Sequence, residues 1–552
     1  MRKLAFIALL FCIMAGAQQI RPVLIIPVEL NGVPFENTVE KLDSTLQTVS
    51  AYCRDNLNGK YPCEFVQAPT VRLTGSYNND NIHIAVIDAC RQLSKHINFA
   101  EYHNGVGLIF SGENIFPHEN SIENLNASIV VNGISIRSYF ATSEFINGKV
   151  LEAGLICHEY GHLLGLKDMY DTDGANSNGL SPGLWGSTAL MDKGEQNGEY
   201  LCPAGLNAID LKTLGIGVCD TLKPGNYNLQ PLSREQRYLY LPCDVDDEYF
   251  LFECRSQEKW DSLIGGNGLL VYHIDQSYNK SGYSTFYKQN LNASERWEYN
   301  EVNCRPDHQC ARLLKANPDA ETVGDVFFPF ADNRVLSSES SPALRFWSGK
   351  GSSLALLNIQ IMDDSSVSFD VIEPIADAGE YCFQNEARLF WDIDPSLLDQ
   401  IEDCTIYLNS NGEDRQEFKT MPNSKGRVSI SFDSLRDNCI YDVELHIESL
   451  MGPFSSEKQF KTLVIDSRNT YPFIFLFDAK RDSRGNFLLG SSFPLHVFNA
   501  FDVEEIVWTF DGKTPQLNSD GLFVVERDGV LRAELHYSDG SCEVLCKSIS
   551  VR

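Results

Sequence analysis

The sequence predicts a mixed α/β domain built around one buried helix and followed by two all-β modules, and three observations carry that expectation. Ahead of residue 150, apolar runs of strand length alternate with segments whose apolar residues recur at helical spacing. After about residue 375 the pattern changes to short alternating strands with few helical signals. The length, 552 residues, is enough for three or four units that each bury a core.

Taken in order, Met1-Arg2-Lys3 is a short basic region and Leu4 to Met14 an apolar run too short to span a bilayer. With the small residues Ala15-Gly16-Ala17 behind it, segment 1–17 reads as a signal peptide and Gln18 as the mature start. A lipoprotein cut before Cys12 is disfavoured by the bulky Phe11. No later stretch has the roughly 18 uninterrupted apolar residues of a membrane span. The expected location is therefore secreted, periplasmic or at the cell surface. A strand follows at Val23 to Val28, a helix over Thr38 to Asn56, and a second strand and helix after it. That second helix, Ile82 to Ile97, places Ile82, Ala85, Val86, Ala89 and Leu93 on one face. Gly105 to Phe110 and Ala127 to Ile134 read as further strands. Together these give a catalytic-sized domain over 18–375, a β-sandwich module over 376–465 and an immunoglobulin-like β-sandwich module over 466–552. In the first module Tyr441, Val443, Leu445 and Ile447 alternate with Asp442, Glu444 and His446, which puts His446 on the surface. In the second, Leu531, Ala533, Leu535 and Tyr537 alternate with Arg532, Glu534 and His536.

The formal charge is −30, and −32 without Arg2 and Lys3. A surface that acidic repels phosphate backbones, so nucleic acid is excluded as a partner and solubility is the simpler meaning of the charge. Sixteen cysteines become fifteen without Cys12, which leaves at least one unpaired, with Cys157 the candidate. The close pairs Cys53/Cys63, Cys304/Cys310 and Cys542/Cys546 are compatible with disulfides outside the cytoplasm.

The chemistry concentrates in His158-Glu159-Tyr160-Gly161-His162. Two histidines four residues apart share one face of a helix and can bind one zinc ion. Glu159 beside them suits a general base that takes a proton from a metal-activated water. Val150, Ala153, Gly154 and Cys157 supply the small or apolar face that such a helix needs. A chance match to the five-residue pattern is expected in about one such chain per hundred, and Gly165 and Asp168 at fixed places lower that further. Gly165 lets the helix stop and the backbone turn, bringing Asp168 back as a third ligand. Asp171 is the rival, which would leave Asp168 as a hydrogen-bond acceptor for a histidine. A mixed sheet supporting an active-site helix is the arrangement of a zincin-type protease.

Gly183-Leu184-Trp185 and Ala189-Leu190-Met191-Asp192 follow the motif. With them the chain resembles the immune inhibitor A family of secreted bacterial metalloproteases. Further landmarks are Ile115-Phe116-Pro117-His118, Tyr249 to Glu253, Trp260-Asp261 and Gly268 to Asp275, so that the resemblance runs from about Pro22 to Glu373. It implies a zinc endopeptidase acting on protein or peptide substrates, with His158, His162 and Asp168 as ligands, Glu159 as base and Met191 in a turn beneath the metal. Members often carry a long propeptide, for which there is little room between the leader and the first strand. The family also includes calcium-bound members, and Asp171, Asp173 and Asn176 form an oxygen-rich loop that suits Ca2+. Pro182 stands where an EF-hand has its glutamate, so a solvated turn is the simpler reading. His118 and His273 are expected to be structural. Tyr160, roughly 200° round the helix from both histidines, points away from the metal, and the oxyanion partner stays open between no assigned residue and Tyr170. Two other classes are a catalytically silent relative and an adhesin acting through the tail, whose partner is unknown. The intact motif favours the enzyme.

Overall fold

Val23 to Val28 are apolar without alternation because strand β1 (Val23–Leu30) is covered on both faces, as parallel strands usually are. The computed structural model describes residues 21–551 apart from 38, 78–80, 103–104, 114–128, 147, 411–413, 465–470, 478–479 and 501. The leader, Thr38, His118 with its neighbouring landmark residues, and the boundary expected near Asp466 lie outside the described residues. Two units divide the chain: Met1–Arg334 with Ser341–Lys350 and Leu356–Val371, and Val335–Ser340 with Gly351–Ala355 and Ile372–Arg552.

In the first unit, β1 is followed by helix α1 (Val39–Asn56), β2 (Phe65–Gln67), β3 (Val71–Leu73), α2 (Ile82–Leu93) and β4 (Gly105–Glu113). Then come β5 (Ile129–Val131), β6 (Ile134–Ile136), β7 (Ser138–Ile146), β8 (Lys149–Val150) and helix α3 (Ala153–Leu164). The sheet order is β2-β1-β4-β7-β8, with β3 also on β1. Every pairing is parallel except the short β7–β8 hairpin. Side chains alternate between two cores. Val23 and Ile25 join α1 (Leu46, Val49, Tyr52) and α3 (Ile156, Cys157, Tyr160), while Leu24, Ile26 and Val28 join α2 (Ala85, Val86, Ala89). The result is three layers with the sheet in the middle. At the sheet's centre Gly107 has no room for a side chain, since a Cβ there would lie 2.3 Å from the Phe140 ring.

Three expected elements differ in extent. The second helix stops at Leu93, so Ile97 lies beyond it. The strand expected over Ala127 to Ile134 is, where described, the β5–β6 hairpin, turned by Asn132 (φ 50°) and Gly133 (φ 82°). Asn-Gly with both φ positive is the favoured two-residue hairpin turn. Val150, expected on the helix face, belongs to β8 instead, and the helix begins at Ala153.

The rest of this unit adds helix α4 (Ala208–Leu214) and strands β9 (Val218–Thr221), β10 (Gly225–Leu229), β11 (Arg237–Pro242), β12 (Glu248–Arg255) and β13 (Gly268–Asp275). Strands β13-β12-β11-β9, with Ala311–Leu313 outside β13, make a second sheet. Both β12 and β13 are buried at every position.

Apart from a short 3-10 helix at Pro395–Gln400, the elements described in the second unit are strands. Ile375–Cys382, Ala387–Ile393 and Arg427–Phe432 form one antiparallel sheet. Gln416–Lys419, Ile401–Ser410, Ile440–Ser449 and Phe454–Lys461 form another. Tyr441, Val443, Leu445 and Ile447 are buried, Asp442 is exposed, and His446 is half-buried against the Tyr407 ring. Val503–Phe510, Gly529–Tyr537 and Cys542–Ile549 form a third antiparallel sheet, whose Leu531, Ala533 and Leu535 pack with Phe493 and Phe523. All fifteen cysteines after Cys12 are free thiols, so none of the three close pairs is bridged. For Cys542 and Cys546 the reason is geometric. Four residues along one strand span about 13 Å, whereas a disulfide needs Cα atoms within roughly 7 Å. Among the described residues no helix is long and apolar enough to cross a membrane.

Candidate metal centre

Helix α3 brings His158 and His162 to one face, with ring centroids 4.9 Å apart. It ends where Gly165 adopts φ 104°, in the left-handed region that a side chain disfavours. Leu166 N–H donates to Gly161 O at 3.0 Å, closing the helix end and sending the chain back toward the histidines. Asp168 lands between them: its Oδ1 is 3.2 Å from His158 Nε2 and 3.3 Å from His162 Nε2. All three side chains are at most 4 % exposed.

The partners of the other ring atoms decide what this cluster can hold. His158 Nδ1 lies 3.0 Å from Leu190 O, and His162 Nδ1 lies 3.0 Å from Leu166 O. A carbonyl only accepts, so each Nδ1 carries the proton and each neutral ring turns a bare Nε2 lone pair inward. Asp168 Oδ1, also an acceptor, is buried without a hydrogen bond. Three acceptor atoms therefore face one another in a dry place, which is stable only around a cation. A tetrahedral ion with bonds of about 2.0–2.1 Å has ligand edges of roughly 3.3–3.4 Å, close to the distances found. The same closeness shifts the titration of all three groups. Burial opposes a charged imidazole, but the Asp168 carboxylate outweighs it and holds His158 up at about 10. Burial alone would raise the Asp168 carboxyl, and the two imidazoles pull it well below the usual range.

The structure thus brings Asp168, rather than Asp171, to the two imidazoles. Asp171 accepts from Asp173 N–H at 3.1 Å and from Ser181 N–H at 2.9 Å in the following loop. Glu159 is buried at 1 % exposure, next to His158. Tyr160 points away as expected, donating to Pro62 O at 2.9 Å, while the Tyr170 ring stacks over His158 at 6.4 Å. Met191 lies directly beneath the helix: a Cβ on Gly161 would meet its sulfur at 2.8 Å. Its turn is pinned by Asp192, whose carboxylate accepts from Leu184 N–H at 2.8 Å and Gly186 N–H at 2.9 Å.

Some partners had no local signal in the sequence. Asn300 clamps Asp168 from both sides, accepting from its N–H at 2.8 Å and donating to Oδ2 at 2.7 Å across 132 residues. Asn303 donates to Met169 O at 2.8 Å. Behind the Met191 turn, fully buried Arg255 pairs with Glu253 and Asp261 and donates to Thr188 O at 3.2 Å. His273 is buried and bonded to Glu248 at 2.9 Å, the structural role expected of it. In the oxygen-rich loop Asp171, Asp173 and Cys304 lie close together, and Asn176 instead bonds back to Asp173 within the loop.

Residues 118–207 match the model of the immune inhibitor A peptidase M6 catalytic domain. That segment is of the immune inhibitor A peptidase family. It contains the whole His158 to Asp168 cluster and the Met191 turn, so the chain carries a metallopeptidase catalytic segment. No curated protein matches the chain. Solved structures with some similarity include a myokine (18 % identity, 16 % of this chain, 98 % of that one, TM-score 0.14). Others are extracellular domains 3–5 of Drosophila OTK (13 %, 33 % and 67 %, TM-score 0.13) and a marsupial T cell receptor (12 %, 32 % and 93 %, TM-score 0.14).

Proposed function

We propose that the protein is a secreted zinc endopeptidase that hydrolyses peptide bonds of proteins, with His158, His162 and Asp168 as ligands and Glu159 as general base. The observation that carries this reading is the convergence of two Nε2 lone pairs and Asp168 Oδ1, with both Nδ1 atoms already committed to carbonyl oxygens. Zinc held there would supply a Lewis acid that polarises the scissile carbonyl and makes water a stronger acid. The chain's own residues do the rest. Glu159 accepts the proton of the attacking water and returns it to the leaving amine. The Leu190 and Leu166 carbonyls hold each imidazole in one tautomer and orientation, and Asn300 holds the Asp168 carboxylate. Half-buried Tyr170 stacks on the His158 ring and has no assigned role.

Glu159→Gln tests the reading most directly. The amide cannot take the proton, so the variant should keep one zinc in this site and lose casein cleavage by roughly 10²–10⁴-fold. Undiminished cleavage by the purified variant would place the chemistry elsewhere.

A further inference from the structure

The C-terminal sheet brings together a second set of metal-ligating atoms. Strands Gly529–Tyr537 and Cys542–Ile549 are antiparallel, with His536 directly opposite Cys542. Glu534, two residues before His536, projects from the same side of the sheet. The pairing register therefore puts a carboxylate, an imidazole and a thiol on one face of an edge hairpin. Glu534 Oε1 lies between the other two, 3.5 Å from Cys542 Sγ and 3.7 Å from His536 Nε2.

We propose that Glu534, His536 and Cys542 form a second, thiolate-containing zinc site. Zinc bonds of about 2.0 Å to oxygen, 2.0–2.1 Å to nitrogen and 2.3 Å to sulfur give tetrahedral ligand edges of roughly 3.3–3.6 Å. The Glu534–Cys542 separation matches its edge of about 3.5 Å, and the Glu534–His536 separation is about 0.4 Å longer than its edge of about 3.3 Å, a gap that rotation of these half-exposed side chains can close. The donor set also fits: a thiolate, an imidazole and a carboxylate are the three ligand types of protein zinc sites, whereas calcium and magnesium select oxygen alone. Cys542 Sγ donates a hydrogen bond to the Glu534 carboxylate at 3.5 Å, and a divalent cation would take the place of that proton, with thiolate and carboxylate both facing it. Cys542 is exposed, so an ion can enter from solvent and a water can complete the tetrahedron. The competing fate of an exposed thiol, pairing with Cys546, is closed off by the strand geometry given above.

This site is independent of the proteolytic reading, and its test does not depend on activity. The full chain is stripped with a chelator, then reloaded with Zn2+ or with Co2+. The expected result is two zinc ions per chain and, for cobalt, a thiolate-to-metal charge-transfer band in the near ultraviolet, since the His158 site has no thiolate ligand. Cys542→Ser and His536→Ala should each lower the zinc content to one, and Cys542→Ser should abolish the band while casein cleavage is unchanged. Cys546→Ser should keep both ions and the band. One zinc in the parent chain with no thiolate band on cobalt loading, two in both variants, or a band that survives Cys542→Ser would each overturn the proposal. His158→Ala should lose the other ion and keep the band, so failure of either reading is recognised separately.

Discussion

The two clusters of metal-ligating side chains are built by opposite means. On α3 the ligands come from a helix and the turn after it, are buried to 4 % exposure or less, and are each held by a further partner: Leu190 O, Leu166 O or Asn300. On the C-terminal hairpin the ligands come from strand register alone, and Glu534 and His536 are each more than 40 % exposed. The difference is one of preorganisation. A supported, buried cluster has already met the entropic and desolvation costs of assembling its ligands, and an exposed one meets the rotamer cost when the ion arrives.

The sharpest way to break this comparison is at the ligand that the turn supplies. Asp168→Ala should strip zinc from the α3 cluster and abolish casein cleavage together, while Asp171→Ala spares both. Metal analysis of the purified variants checks it, and the reverse pattern would move the ligand to Asp171. A smaller effect is expected one step out. Asn300→Ala leaves all three ligands in place but frees the Asp168 carboxylate, and zinc affinity should fall roughly 10–100-fold. Chelator competition measures this. The same titration should empty the hairpin site before the α3 site in the parent chain.

Gly165→Ala probes the turn itself. A side chain at φ 104° costs about 1–2 kcal/mol, so thermal unfolding should shift down by a few degrees with zinc content preserved in the folded protein. The smallest effect concerns the scaffold behind the site. Burial, with Glu253 adding to it, raises the Asp210 carboxyl in α4 from 3.8 to about 7. The folded chain then binds that proton more tightly than the unfolded chain, so the contribution is fully present below about pH 4 and is lost as pH rises through about 7. Asp210→Asn removes the titration. The parent's melting temperature should fall relative to that variant's between pH 4 and 7, and parallel profiles would show that Asp210 keeps an ordinary pKa.

What was legible followed from short-range periodicity. The burial of Tyr441, Val443, Leu445 and Ile447 is visible in the alternation itself, and the face of α2 in its i, i+3, i+4 spacing, because those patterns are set by backbone geometry. The β5–β6 hairpin was legible too, in Asn132-Gly133, but apolar residues on both sides of that pair read as one strand. Val150 looked like helix because one turn of apolar spacing cannot distinguish a helix from a strand that leads into it. The Cys542/Cys546 pair, compatible by spacing with a disulfide, stays open for a related reason: closeness in sequence does not set the distance between two thiols, and along a strand it keeps them apart.

By itself, then, the sequence determined the pieces whose geometry is local: the pair His158 and His162 on one helical face, the left-handed stop at Gly165, and the period-2 strands of the tail. Only the tertiary structure decided which acceptors meet. Asn300 reaches Asp168 across 132 residues, Leu190 O reaches His158 across 32, and His536 faces Cys542 because of strand register. Such contacts come from chain packing, which places residues without regard to their separation in sequence, so no local pattern records them.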